Sequence, residues 1–501
     1  MDILMNGVGL VLNVDTILVI LAASLFGIFV GAVPGLTATM AVALLVPLTF
    51  YMDTIPAIAA IVTTSAMAIF AGDIPGTYLN IPGTPASAAY VGESHALAKK
   101  GRAREALGIN LVCSVFGGIF GTIILIVVAQ SLAEVALKFS AFEYFWLAVL
   151  GLSCSIFISV GSRTKAFLSL LFGVLLSTVG LDMMSGAPRF TFGVPDLMAG
   201  VNFIPVMIGM FALNELMSYY GSKSENKTIS VVDKDSVFHN VPRHIKRYWR
   251  NMVRGSSIGT MIGALPGAGA DIAAWISYGV GKGRSKDSSK YGTGNIEGIV
   301  DASSANNSGI SGAWVPALVF GIPGDSITAI VIGVLYMKGM NPGPTIFMDG
   351  SGLIYALFIV FILANLMMLP VGYIAIRLSK LFILTPSRVL MPIILCFCIV
   401  GAFAINNSVV DIWLMLIVGL VAYLLAVNDF PMAPAILGLV LGSVVENNFM
   451  SAMLRTGGDL TSFFARPISA GLGIAVILLW CSPLLIKAYR YQKRKSERAS
   501  A

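Results

Sequence analysis

Charge is what this sequence has least of. Only 11% of its 501 residues are Asp, Glu, Lys or Arg, against roughly 25% in an ordinary soluble domain. A solvated globular body is excluded on that ground alone. Histidine is scarcer still: His95, His239 and His244 all fall in basic loops. No His, Cys, Asp or Glu spacing matches a metal site. The five cysteines (Cys113, Cys154, Cys396, Cys398, Cys481) lie in apolar segments and read as small buried hydrophobes rather than a disulfide framework. No basic residue precedes the first apolar run, so no cleavable leader is expected. Gly281-Lys282-Gly283-Arg284-Ser285 lacks the spacing of a phosphate loop. With no nucleophile–base or metal cluster, an enzyme is not expected, nor a resident cofactor.

What is present is apolar: 57% of the chain is hydrophobic, in long runs from end to end. That pattern predicts an all-α polytopic membrane protein of about 10–14 membrane segments. The net charge of +7 sits in short loops and the tail. It reads as an orientation signal in a lipid bilayer, not as a nucleic-acid surface.

Two stretches organise the rest. Residues 27–38 and 259–270 both read G-x-x-x-G-A-x-P-G-x-x-A, around Pro34-Gly35 and Pro266-Gly267. A Pro-Gly pair breaks a helix, and in hydrocarbon the freed backbone groups must find partners in protein, water or a ligand. A second element repeats in the same order: Ile81-Pro82-Gly83 and Ile322-Pro323-Gly324, which also sets Pro75 on Pro316. The expected organisation is a first half, 1–220, with a Pro-Gly hairpin (16–50) and a broken helix (54–97). A cytoplasmic linker, 221–254, follows. The second half, 255–486, repeats the plan with a hairpin (255–281) and a broken helix (296–338), and a basic cytoplasmic tail, 487–501, closes the chain.

Charge placement predicts that the two halves are inverted. The loop after the first hairpin has no basic residue, and the loop after the first Ile-Pro-Gly holds Lys99, Lys100, Arg102 and Arg104. In the second half, Lys282, Arg284, Lys286 and Lys290 follow the hairpin instead. Basic loops face the cytoplasm, so equivalent loops fall on opposite sides. Residues 255–281, held between two basic loops, are too short to cross twice and read as a re-entrant hairpin. The fold expected is two inverted-topology repeats with re-entrant hairpins and discontinuous helices.

Paired breaks in two halves point to a transporter's binding site. The expected substrate-binding residues are Pro34, Gly35, Thr37, Asn80, Pro82, Gly83, Thr84, Pro266, Gly267, Asn306, Asn307, Pro323, Gly324 and Ser326. Helix N-termini there favour an anion, and exposed carbonyls hold Na⁺. The plainer account is tight helix packing at the glycines, with hydroxyls bonded to their own helix. Acids in apolar segments are costly and usually functional. Asp73, Asp271 and Asp325 are therefore coupling-ion candidates, for Na⁺ or H⁺; helix capping at a wet mouth is the alternative for each.

At these residues the sequence resembles the large membrane subunit of the tripartite tricarboxylate transporters. The matching motifs are Gly31 to Thr37, Asn80 to Thr84 with Ala98 to Ala103, Gly263 to Gly267, Glu297-Gly298 through Asn307, and Leu318 to Gly324. Ala71 to Thr77, with its added Asp73 and Pro75, departs from the Tyr-Gly-Gly-Ser type of stretch the family usually carries there. The resemblance implies a bacterial inner-membrane permease, multi-pass, with its C-terminus in the cytoplasm. Its implied partners are a small membrane subunit and a periplasmic solute-binding protein. The implied activity is secondary uptake of organic di- or tricarboxylates driven by an ion gradient. A carboxylate or anion channel, or a carrier independent of a binding protein, is the alternative.

Overall fold

The computed structural model describes residues 2–33, 36–159, 162–182, 185–221, 236–267, 269–348, 352–379, 381 and 387–482. Pro34 and Gly35, residues 222–235 of the linker and the whole 487–501 tail lie outside the described residues. The protein is an all-α polytopic membrane protein; among the described residues, six helices are long and apolar enough to cross a bilayer, with shorter apolar helices between them.

The first half runs α1 (Asp2–Val11), α2 (Val14–Ala32), α3 (Ala38–Phe50), α4 (Thr54–Ala71), α5 (Asp73–Leu79), α6 (Val91–Lys99), α7 (Ala103–Ala136), α8 (Ala141–Ile158) and α9 (Arg163–Ser177). A two-stranded antiparallel ribbon pairs Gly180 with Arg189 and Leu181 with Pro188. Then come α10 (Phe203–Ile208) and, after one π-turn, α11 (Asn214–Gly221). The second half opens with α12 (Val241–Gly263), α13 (Gly269–Arg284), α14 (Ile296–Phe320), α15 (Ser326–Met337) and α16 (Leu353–Arg377). Helices at Ser387–Asn406, Val409–Val427, Met432–Arg455 and Pro467–Ser482 complete the chain. Helix α12 begins inside the basic 221–254 stretch, so the last part of that stretch is an arm of the second hairpin.

The centre is α14, in which every residue from Gly298 to Val319 is buried. A central helix this rich in Ser, Asn and Gly packs by close approach rather than by bulk. Helix α7 is 34 residues long, roughly 50 Å, and lies against α14. Ser303 Oγ donates to the Asn110 carbonyl at 3.2 Å, and Ser311 Oγ to the Gly118 carbonyl at 3.3 Å.

The two G-x-x-x-G stretches pack in the same way. A Cβ at Gly27 would stand 2.8 Å from the Thr64 carbonyl oxygen, and one at Gly31 would stand 2.3 Å from that of Ala68. The matching pair, Gly259 and Gly263, abut the Ala305 and Gly309 carbonyls at 2.4 and 2.2 Å. The alignment that sets Ile81 on Ile322 also sets Thr64 on Ala305 and Ala68 on Gly309. Both breaks start alike: α5 ends on Asn80 at φ 59° and α14 on Gly321 at φ 67°, each left-handed. Both then restart on a reciprocal cap. Thr84 and Ser87 exchange backbone-to-side-chain bonds of 3.1 Å; Asp325 and Thr328 do so at 2.8 Å.

The basic loops gather at one end. Lys100 Nζ donates to the Thr293 carbonyl at 2.9 Å. Glu93 accepts the N–H groups of Gly292, Gly294 and Asn295 at 2.5, 2.7 and 2.7 Å. Elsewhere, Lys338 Nζ caps the Phe50 carbonyl at 3.0 Å and also reaches that of Met52. Near the basic end, Arg254 Nη2 meets the fully buried Asp301 at 2.6 Å, with Asn251 donating to the same carboxylate at 3.0 Å. Arg254→Gln strands that carboxylate without a cation. The expected loss is about 3–5 kcal/mol of stability, read by thermal melting in detergent. Arg254→Lys should recover part of it.

Candidate functional site

A cavity opens where five chain segments meet: the starts of α3, α13 and α15, the turn after the first Ile-Pro-Gly, and α4 at Ile69. Its walls are Thr37, Ala38, Thr39, Ile69, Thr84, Pro85, Ala270, Asp271, Asp325, Ser326 and Ile327.

Apart from Ile69 of α4, the walls are helix starts, for a reason written in the local sequence. Thr37 is extended and its Oγ1 accepts the Met40 N–H at 3.2 Å, opening α3. Thr84 and Ser87 cap the 3₁₀ turn Ser87–Ala89. Asp325 opens α15, its Oδ1 accepting the Thr328 N–H at 2.8 Å and the Thr328 hydroxyl at 2.7 Å. Gly269, at φ +60°, starts α13, and a Cβ there would lie 2.6 Å from the Asp325 Cβ. No other residue type fits that contact without moving Asp325.

The second hairpin is stitched to both breaks. Its tip meets the second break through Gly267 N–H, which donates to the Gly324 carbonyl at 2.8 Å. Helix α13 reaches the first break twice. Asp271 Oδ1 accepts the Ala86 N–H at 3.2 Å, and the Trp275 indole donates to the Pro85 carbonyl at 3.1 Å.

The electrostatics follow from this inventory. Two carboxylates, Asp271 and Asp325, line the cavity, and no Lys, Arg or His does. Neither acid belongs to an ion pair among the described residues. Helix starts contribute positive potential and backbone donors. Such a site suits a hard cation held by the carboxylates beside an anion held by N–H groups and hydroxyls.

Of the residues expected from the sequence, Thr37, Thr84, Ser326, Asp271 and Asp325 line the cavity together. Gly83, Pro266, Gly267, Pro323 and Gly324 shape the breaks and tip behind its wall without lining it. Asn80 and Pro82 sit on the exposed side of the first break. Asn306 and Asn307 lie in the packed middle of α14: Asn306 Nδ2 donates to the Tyr90 hydroxyl at 3.3 Å and Asn307 Nδ2 faces Met368 Sδ at 3.5 Å. Asp73 is buried away from the cavity, bonded to Tyr90. The sequence reading missed Ile69, Ala270, the Ala86 N–H and Trp275. A backbone donor has no side-chain signature, but Trp275, four residues after Asp271 on the same helix, was a usable signal.

Residues 17–437 match the model of a family described as the tripartite tricarboxylate transporter TctA family. A relative from Agrobacterium vitis, described as an uncharacterized 52.8 kDa protein in the TAR-I ttuC' 3' region, is 32% identical over 462 residues, covering 92% of each chain. A second from the same organism, an uncharacterized protein in the TAR-II ttuC' 3' region, is 32% identical over 212 residues, 42% of this chain and 88% of its own. No solved structure matches.

Proposed function

Because this chain belongs to the tripartite tricarboxylate transporter TctA family, and so is a membrane transporter subunit of a several-part system, we propose that it takes up organic di- or tricarboxylates across the bacterial inner membrane by secondary active transport. A periplasmic binding protein delivers the substrate, and a small membrane subunit accompanies the permease. The C-terminus is cytoplasmic. The two halves are inverted, each inserting a re-entrant Pro-Gly hairpin, and the cavity alternates its access between the two sides.

The observation that carries this reading is the cavity itself. Both hairpin arms and both Ile-Pro-Gly breaks contribute to one wall, and its polar groups are helix starts, hydroxyls and two carboxylates. A carboxylate substrate needs compensation for Asp271 and Asp325. A coupling cation, Na⁺ or H⁺, supplies it by loading between these acids and the substrate. Transport is then driven by that ion's gradient, since substrate binds well only with the cation present.

The test is uptake of radiolabelled succinate, malate, tartrate and citrate into right-side-out vesicles, with purified binding protein, under a Na⁺ gradient, a pH gradient, both or neither. Accumulation that follows an ion gradient and needs the binding protein supports the proposal. ATP dependence, or flux indifferent to every gradient, overturns it.

A further inference from the structure

The cluster around Asp73 is not used by the cavity. Asp73, Tyr90 and Asn306 are each buried and come from three separate elements: α5, the end of the 3₁₀ turn and α14. The Tyr90 hydroxyl lies 2.8 Å from Asp73 Oδ1 and 2.9 Å from Oδ2. It also accepts the Asn306 amide at 3.3 Å. Asn306 Oδ1 has no hydrogen-bond partner among the described residues.

We propose that Asp73, held by Tyr90 and Asn306, is a proton-carrying site that couples proton entry to movement of the first break, separate from the cation held in the cavity. This rests on the transport reading above and deepens it by naming a second coupling group and its ion.

The donor count carries the argument. A phenol has one proton to give and two lone pairs to accept with. It donates to one Asp73 oxygen or shares that proton between the two; a proton on the carboxyl lets the second oxygen donate back and make a full bond of its own. With Asp73 protonated, the phenol gives once and accepts from Asp73, its second lone pair facing the Asn306 amide and the Ser303 hydroxyl. With Asp73 ionised, a full charge sits in an apolar interior on one donor, which is costly. A metal cation is disfavoured because the phenol occupies the place between the two oxygens.

No neighbouring charge substitutes for the proton. On α6, Glu93 is held by the 292–295 loop and Tyr278, and His95 Nδ1 lies at the Thr77 carbonyl, 3.0 Å away; Lys99 is at the helix end. On α7, Glu105 is paired with Arg102, with Arg104 beside it and Glu134 near the far end. On α14, Asp301 is paired with Arg254 and Glu297 accepts from Asn251. Asp15 lies at the far start of α2, and α4 has no charged residue.

The step is a simple transfer. An O–H bond forms on Asp73 with a proton from outer water and breaks by release to inner water. The link to the cavity is direct. The Gly72 carbonyl, one residue before Asp73, accepts the Gly83 N–H at 3.1 Å, and Tyr90 ends the turn whose cap, Thr84, lines the cavity. The protonated pair ties that wall to α5. Deprotonation unties it.

The experiment uses the full chain in proteoliposomes. First, infrared titration follows the C=O band of a neutral carboxylic acid. A band present in the wild type and missing in Asp73→Asn is expected, and Tyr90→Phe should shift its midpoint by about one pH unit, a tenfold change in proton affinity. Second, a trapped pH dye reads proton entry during citrate or succinate uptake with binding protein. Asp73→Asn should lose at least tenfold of pH-driven accumulation, while substrate counterflow falls far less. An unchanged band in Asp73→Asn, or substrate-linked proton entry at the wild-type ratio, overturns the proposal. If Asp73→Asn does not fold, Tyr90→Phe decides alone: an unmoved midpoint overturns it. A wild type that keeps the band but carries no carboxylate defeats the substrate reading and leaves the proton site standing.

Discussion

Asp271→Asn is expected to cut gradient-driven carboxylate accumulation at least tenfold, and to raise the Na⁺ or H⁺ concentration needed for half-maximal uptake by a similar factor. A tenfold change corresponds to about 1.4 kcal/mol of ion binding, modest for a buried carboxylate acting on a hard cation. The asparagine oxygen still accepts the Ala86 N–H that Asp271 Oδ1 accepts in the wild type, so fold and wall are kept while the charge goes. Uptake at varied ion concentration checks this. An unchanged rate and unchanged ion dependence would show that the cavity acids do not hold the coupling ion. Asp325→Asn is a matching probe: the asparagine oxygen still accepts the Thr328 N–H that caps α15, and Asn caps about as well as Asp.

Gly83→Ala should be the most damaging single-methyl change in the first break. The added Cβ would stand 2.4 Å from the Gly72 Cα and 2.8 Å from the Gly72 carbonyl oxygen. Both are backbone atoms with no rotamer to turn, so the break itself must shift. Overpacking of this kind costs about 1–3 kcal/mol, and here the Gly83–Gly72 hydrogen bond is strained as well. The expected result is a lower melting temperature in detergent and little transport. Gly92→Ala is the control: nothing lies within 4 Å of a Cβ there, and in α6 it should be neutral or mildly stabilising. Equal melting of the two variants would contradict the close approach of Gly72 and Gly83.

Much of the cavity was legible in the chain because its makers are breakers. Pro-Gly and Ile-Pro-Gly interrupt apolar runs, and polar residues just after an interruption become helix caps; Thr37, Thr84 and Asp325 follow that rule. Asn306 and Asn307 misled because a polar pair in an apolar helix looks the same whether it faces a cavity or another helix. Only the packing of α14 against Tyr90 and Met368 decides it. The Asp73–Tyr90 bond was hidden because its partners are 17 residues apart across a break whose geometry no periodicity describes. The start of α12 at Val241 was hidden because a basic, amphipathic arm reads like a loop when only hydropathy is consulted.

The stitching between α13 and the first break has a wider implication. Asp271 and Trp275, from late in the chain, close the turn at Pro85 and Ala86, from early in it; Lys338 likewise seals the end of α3 at Phe50. Neither half has a finished interior on its own. Packing around the first break is therefore complete only once Asp271 and Trp275, from beyond the midpoint of the chain, are in place.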